Sequence, residues 1–96
     1  MRDLRWTRRA LWDLHRLHSF LAANNPNAAR RAIASIRQGV RILASHPDAG
    51  RYSDDLPEDM REWPVPFGQS GYVVAYQIFD EAVVIHSVRH MFEAGY

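Results

Sequence analysis

The stretch GYVVAYQIF, residues 71–79, is the strongest strand signal in the chain and decides its fold. Branched and aromatic side chains occupy both of its alternating faces, as expected for a central strand. A second such stretch, VVIHSVRH at residues 83–90, follows after a tight turn. A third, Met60–Val65, precedes it across a glycine-containing loop at residues 68–71. Connections this short predict an antiparallel meander of three strands.

A short strand and a helix are predicted at the start of the chain. The strand covers Leu4–Trp6, and Thr7 after it is a suitable N-cap for a helix over residues 8–23. Apolar residues recur at helical spacing on one face of this segment, which we expect to face the core. They are Ala10, Leu14, Leu17 and Leu21.

A second helix follows the break Asn24-Asn25-Pro26, where Asn25 can cap it and Pro26 suits its first position. We expect it to run from Pro26 to about Ser45, because His46 precedes a proline and is driven out of the helical region. Gly39 weakens the helix interior by about 1 kcal/mol relative to Ala. We interpret it as a point of close approach between the two helices.

These elements predict the fold class α+β, with the order β-α-α-β-β-β. At 96 residues the chain has room for one core, so we expect a single domain over residues 1–96. A meander alone would leave one face bare, so the two helices are expected to cover it. The other face is then open to solvent.

Composition excludes several classes of function. The chain has no Cys, which excludes a disulfide framework, a thiolate nucleophile and a cysteine zinc site. All twelve basic residues are Arg, so there is no lysine for a Schiff base or a P-loop. The net charge of +1 does not favour nucleic-acid binding through the overall field.

No targeting segment is recognisable. The first six residues, MRDLRW, are charged and lack the apolar region of a signal peptide, and the longest apolar stretch, residues 72–78, is too short to span a bilayer. We therefore expect a cytoplasmic protein with no membrane partner.

The last strand, residues 83–90, carries the chemistry of most interest. Strict alternation would place Arg89 on one face and both His86 and His90 on the other. Neither face would be purely apolar, which predicts a bulge or a partly exposed face.

Four residues could converge on the open face of the sheet: Arg51, Arg61, Arg89 and His90. Such a group has the parts of a metal-free ribonuclease, because Arg can stabilise a phosphorane and His can act as a general acid or base. The alternative is structural, since Arg61 has acidic neighbours and His90 could bind a backbone carbonyl. No carboxylate lies on the last two predicted strands, so a carboxylate base would have to come from the connector.

Other polar and aromatic residues give weaker signals. His15 and His18 have the spacing of metal ligands, but no third ligand follows, so we expect no metal and no cofactor. Trp12 lies on the outward side of the first helix and is interpreted as a protein contact. Arg30, Arg37 and Arg41 form a basic stripe on the second helix, which is either a solvated face or a contact for an acidic partner.

Taken in order, several local strings make the whole chain resemble the ParE/RelE superfamily of bacterial toxins, which are often described as plasmid-stabilisation proteins. The strings are Thr7…Ala10…Asp13-Leu14, Asn25-Pro26…Ala28-Ala29, Leu43…His46-Pro47…Gly50-Arg51, Met60-Arg61, Tyr72–Tyr76 and Ile85–His90. Each string is weakly specific, whereas their order and spacing together are more so.

The resemblance implies a toxin of a type II toxin–antitoxin system. It implies a cognate antitoxin, encoded next door and DNA-binding in its N-terminal half, whose C-terminal segment wraps the toxin. We expect this segment to bury apolar surface near Trp12, Leu17 and Trp63.

Two activities occur on this fold: RelE-like members cut mRNA on the ribosome, and ParE-like members poison DNA gyrase. The absence of lysine favours the ParE-like branch, with Arg51, Arg61, Arg89 and His90 as expected target-binding residues. The short tail, Met91–Tyr96, argues against it. If the chain is a ribonuclease instead, its set would be Arg61, His86, Arg89, His90 and Tyr96. A third possibility is a binding module that has lost its toxicity.

Overall fold

The computed structural model describes residues 1–93 of the chain. They form two helices and four strands with their connecting segments. They follow the predicted order: β1 (Asp3–Trp6), α1 (Arg8–Ala22), α2 (Pro26–Gly39), β2 (Met60–Phe67), β3 (Ser70–Ile78) and β4 (Ala82–His90). Two 3₁₀ turns, Arg41–Ala44 and Pro47–Ala49, lie between α2 and the long connector to β2. The predicted α+β class is confirmed.

The sheet has the strand order β1-β4-β3-β2. The strands β2, β3 and β4 form the predicted antiparallel meander, with β3 in its middle. The N-terminal strand β1 joins the sheet in parallel to β4, where Asp3 pairs with Ala82 and Trp6 with Ile85. A parallel neighbour needs a long crossover connection, and the rest of the chain between β1 and β4 supplies it.

Both helices begin at the predicted caps and pack on one face of the sheet. The Thr7 hydroxyl accepts the N–H of Ala10, and the Asn25 side chain accepts the N–H of Ala28, both at 3.0 Å. The buried core joins α1, α2 and the sheet, and includes Leu14, Leu17, Ile36, Leu43, Val74, Tyr76 and Ile85. Within residues 1–93, no helix combines the length and the apolar character needed to cross a membrane.

The second helix ends at Gly39, six residues before the predicted end at Ser45. The indole N–H of Trp63 donates to the Gly39 carbonyl at 2.9 Å, so β2 packs directly against this turn. A Cβ on Gly39 would lie 2.9 Å from Cγ1 of Val65. Gly39 therefore marks a close approach of helix and strand, and the interpretation as a contact between the two helices was wrong.

A bulge in β4 breaks the alternation of its side chains. Tyr76 pairs with Ile85 and Ala75 pairs with Ser87, so His86 is the extra residue. A bulge places two successive side chains on the same side of the strand. Of the two predicted alternatives the bulge is present, and it separates His86, on the open face with Arg89, from His90, on the helix-covered face with its partner Tyr72.

Side chains of α1 close the edge of β4 where β1 has ended. The Thr7 hydroxyl donates to the His86 carbonyl at 2.9 Å, and the Val88 N–H donates to the buried carboxylate of Asp13 at 2.8 Å. Arg16 donates to the Val88 carbonyl at 3.2 Å. Covered edges resist pairing with other chains, so this part of the sheet is protected.

Candidate functional site

The four residues expected to converge are distributed over both faces of the sheet. Arg51 and Arg89 belong to the open face, whereas Arg61 and His90 lie on the face that the helices cover. Arg61 pairs with Tyr76 and His90 pairs with Tyr72, which are about 13 Å apart along β3. The structure therefore does not bring these four side chains together.

Arg61 is part of an anchor for the connector that precedes β2. Its guanidinium donates to the Gly50 carbonyl at 3.0 Å and to the Tyr52 hydroxyl at 2.9 Å, and it stacks 4.2 Å from the Tyr52 ring. Asp48 pairs with it at 3.4 Å. These contacts engage Arg61 in holding the backbone of the connector.

Tyr76 completes this anchor from inside the core. Its hydroxyl donates to the Pro47 carbonyl at 2.6 Å and accepts the N–H of Gly50 at 2.8 Å. Burial raises the pKa of this hydroxyl. A Cβ on Gly50 would lie 2.3 Å from the Tyr76 oxygen, so only glycine fits there. The string His46-Pro47…Gly50-Arg51 therefore has a structural explanation.

The open face carries a chain of three polar side chains. Gln77 donates to Asp59 at 2.6 Å through its amide nitrogen, and its amide oxygen lies 3.0 Å from Nε2 of His86. Because the Gln77 oxygen can only accept, Nε2 of His86 is the donor in this hydrogen bond. Arg51 lies on the same face and pairs with the buried Glu62 at 2.9 Å.

Arg89 holds the turn that follows β4. One of its nitrogens donates to the carbonyls of His90 and Met91, each at 3.3 Å, and of Glu93 at 3.1 Å. Arg89 thus binds three carbonyls of its own chain. Tyr96, the last residue of the expected ribonuclease set, lies outside the described residues.

His90 uses both of its ring nitrogens within the protein. The N–H of Phe92 donates to Nδ1 at 3.2 Å, so Nε2 carries the proton that faces the Ser70 hydroxyl at 3.1 Å. The ring also meets Tyr72 edge-on, with 5.5 Å between the ring centroids. His90 therefore joins β4, β3 and the following turn in one packed unit.

Glu93 ties this turn to α1. Its carboxylate accepts the His90 N–H at 2.8 Å and pairs with Arg16 at 2.9 Å. Burial on its own would raise the pKa of Glu93, but the His90 N–H and the Arg16 guanidinium outweigh it and lower that pKa. The ionised carboxylate is consequently the form that the folded protein stabilises.

An apolar groove of about 670 Å³ lies between α1, the β2–β3 hairpin and the turn after β4. Its apolar lining consists of Leu17, Phe20, Leu21, Phe67, Tyr72 and Phe92. The side chains of Phe20 and Phe92 are each 79% exposed, which is unusual for aromatic residues without a partner. Arg16, His90 and Glu93 form the polar rim.

The three residues expected to bind an antitoxin differ in their relation to this groove. Leu17 lines it. Trp12 is exposed on α1, with the guanidinium groups of Arg9 and Arg16 within 6 Å of its ring centroid. Trp63 lies on the edge strand β2, outside the groove lining, and contacts the end of α2.

Sequence reasoning missed most of the groove. Phe20 follows Leu17 at helical spacing, and Phe67 and Tyr72 flank the hairpin turn with their ring centroids 6.2 Å apart. These three aromatic residues lie close to the ends of a helix and two strands, and this pattern could have been used to predict the groove. Within residues 1–93, no group of three or more metal-ligating side chains is suited to hold a metal ion.

A sequence model of the ParE toxin of type II toxin–antitoxin systems, parDE, matches residues 4–94. The chain belongs to this family. Among characterised relatives of this ParE-family toxin is Toxin RelE3 of Caulobacter vibrioides, which is 42% identical over 85 residues. The match covers 88% of this chain and 89% of that toxin.

Solved structures show the same fold. The chromosomal ParDE system of P. aeruginosa superposes on this ParE-family toxin with a TM-score of 0.77 and 22% identity, over 94% of this chain and 96% of that one. The toxin–antitoxin complex RelBE2 of Mycobacterium tuberculosis gives a TM-score of 0.56 and 25% identity, over 93% and 96%. The resemblance to the ParE/RelE superfamily is thus confirmed, and relatives carry both names.

Proposed function

We propose that this toxin acts by binding DNA gyrase and trapping it on DNA, and that an antitoxin holds it inactive. The observation that supports a binding mode of action is the engagement of the candidate catalytic groups. Arg61 anchors the connector, Arg89 holds the turn after β4, and both ring nitrogens of His90 have partners. Groups fixed in this way would have to break structural contacts before taking part in catalysis.

The gyrase assay tests this proposal directly. Purified toxin is incubated with gyrase and plasmid DNA, and we expect loss of supercoiling and a trapped cleavage complex. Toxin mixed with an excess of antitoxin is the control and should leave supercoiling intact. Unchanged supercoiling at saturating toxin, with no trapped complex, would rule the proposal out.

A ribosome-dependent mRNA endonuclease is the second candidate. The open face favours it, because His86, held by Gln77 through Nε2, and Arg89 lie on the same strand and supply the residue types of a general acid or base and of a phosphate-binding cation. The relative with 42% identity is named Toxin RelE3, which points the same way.

Primer extension on mRNA after induction of the toxin tests this second activity. Codon-positioned cuts that disappear in His86→Ala and Arg89→Ala, but persist in the exposed control His15→Ala, would establish it. Absence of cuts in the parent excludes it. If induction also causes no growth defect, the chain is a non-toxic binding module.

The apolar groove is the place where we propose that the antitoxin docks, through an amphipathic segment that covers Phe20 and Phe92. Relatives of this fold are described as toxin–antitoxin complexes, and the exposed aromatic lining suits such a partner. Phe20→Asp should abolish complex formation in a co-purification assay. Phe79→Asp, on an exposed side chain outside the groove, is the matched control and should leave the complex intact.

A further inference from the structure

The net charge of +1 conceals two halves of opposite sign. Residues 1–46 contain nine arginines and two aspartates, which gives a net charge of +7. Residues 47–96 contain three arginines and nine carboxylates, which gives −6. A segregation of this size suggests a charged partner for one half, which the small net charge had argued against.

The positive half forms one layer of the molecule. We call the two helices and the 3₁₀ turn after them, residues 8–44, the helix layer. It carries seven arginines and a single acidic residue, Asp13. Asp13 is fully buried. Its carboxylate binds Arg9, Arg16 and the Val88 N–H at the edge of β4. The exposed surface of the helix layer therefore presents arginines and no carboxylate.

The arginines of α2 and the following turn are exposed and have no acidic partner. Arg30, Arg37 and Arg41 share a face at intervals of seven and four residues, and Arg31 lies beside them. Among residues 1–93, no ion pair involves any of these four. Arg30 donates to the Asn27 amide, and Arg37 stacks 5.5 Å from the Trp6 ring.

This arrangement is electrostatically unfavourable in the free protein. Arg37 in the last turn of α2 and Arg41 in the 3₁₀ turn after it are like charges, and among residues 1–93 neither has an acidic partner. Arg8 and Arg9 lie at the positive end of the dipole of α1, whose first turn has no acidic residue. Arg9 pairs with Asp13 and Arg37 stacks on Trp6, but the surface charge of the layer is not neutralised by acidic side chains, and a bound polyanion would neutralise it.

We propose that the helix layer docks on the phosphates of double-stranded DNA. Its α2 side offers arginines together with the neutral donors Asn27 and Gln38, which is the composition of a phosphate-contacting surface. The core of a protein interface is usually apolar and aromatic, and on this side Ile42 is the only large apolar residue that is exposed within the described chain. Nucleic acid is thus favoured over an acidic protein.

The choice of DNA over RNA rests on the proposed function, in which the target enzyme is bound to duplex DNA. The negative half of the molecule would be repelled by the same phosphates, which orients the toxin with the sheet away from the duplex. The open face of the sheet would then remain accessible to protein partners.

A salt series of binding to a short fluorescent DNA duplex tests the inference. The variant carries Arg30→Gln, Arg31→Gln and Arg41→Gln, all at exposed positions. We expect its affinity to fall about tenfold and the slope of log affinity against log salt to fall by about three between roughly 50 and 200 mM NaCl. Unaltered affinity and slope would overturn the inference.

A second variant separates the position of the charge from its amount. Adding Asp54→Asn, Asp55→Asn and Glu58→Gln restores the parental net charge while the helix layer stays depleted. We expect binding to remain weak, and recovery of the parental affinity would overturn the inference. Thermal unfolding of both variants verifies that they fold.

Two further binding measurements, with an RNA duplex and with polyglutamate, distinguish DNA from other polyanions. Tighter binding to an RNA duplex, or to polyglutamate with no binding to DNA, would overturn the assignment to DNA. The assay contains no gyrase, so its failure leaves the proposed function to the supercoiling assay. Conversely, a failed supercoiling assay with intact DNA binding would reject the proposed function alone.

Discussion

At the scale of single residues, the hydroxyl of Tyr76 has the clearest energetic role. Tyr76→Phe removes two buried hydrogen bonds and leaves the Pro47 carbonyl and the Gly50 N–H without this partner. We expect a loss of about 1–3 kcal/mol in the free energy of unfolding, measured by urea denaturation. Tyr52→Phe removes a single exposed hydrogen bond from Arg61 and is the comparison; it should cost less, about 0–1 kcal/mol.

Asp13 is the second residue whose loss should be costly. Asp13→Ala removes the acceptor of the Val88 N–H and the common partner of Arg9 and Arg16. We expect a destabilisation of about 2–4 kcal/mol. Asp3→Asn, in an exposed pair with Arg5, should cost about 0–1 kcal/mol. Equal unfolding midpoints for the two variants would contradict the role assigned to Asp13.

Asp13 also makes a contact that could not be predicted from the sequence alone. The caps Thr7 and Asn25 were predictable, because capping depends on residues three positions apart. The contact between Asp13 and Val88 joins positions that are far apart in the sequence, and no local pattern indicates it. For the same reason Arg61 and Arg89 looked like candidate site residues, although the fold engages both in backbone contacts.

At the scale of elements, the turn after β4 should respond to acid. Because the pKa of Glu93 in the folded protein lies below its ordinary value of 4.5, the ionised side chain stabilises the docked turn above that pH. This stabilisation is lost as the pH falls through the folded-state pKa. We expect the signal of the Phe92 amide, which donates to Nδ1 of His90 in the docked turn, to shift in NMR spectra over this acidic range.

The Glu93→Gln variant provides the control for this titration. Its turn lacks the ionised partner of Arg16 at every pH, so its Phe92 signals should be insensitive to acid between pH 5 and the acid limit of folding. A parental titration that persists in this variant would assign the effect to another group.

The sequence predicted the type and order of every helix and strand, but not all of their limits. The central position of β3 followed from its apolar residues on both faces, and the bulge in β4 followed from its mixed faces. The early end of α2 did not, because Trp63 and Val65 impose it from another part of the chain. The sequence likewise did not predict that β1 pairs in parallel with β4, because this pairing joins distant parts of the chain.

At the scale of the whole molecule, the two oppositely charged halves should attract one another between copies. We expect an attractive second virial coefficient in light scattering at low salt, which weakens as NaCl rises to about 0.3 M because screening shortens the Debye length. The Arg30→Gln, Arg31→Gln, Arg41→Gln variant should show less attraction. Attraction that grows with salt would indicate contact through the apolar groove instead.

The pairing of β1 with β4 has a consequence for the synthesis of the protein. Asp3 pairs with Ala82, which the ribosome adds about 80 residues later. At a translation rate of about 5–20 residues per second this takes roughly 4–16 s. During that interval the helical hairpin has emerged, but the strands that cover its apolar side do not yet exist. The apolar side of the helical hairpin is therefore exposed while the protein is being made, and it is open to a chaperone or to an antitoxin already present.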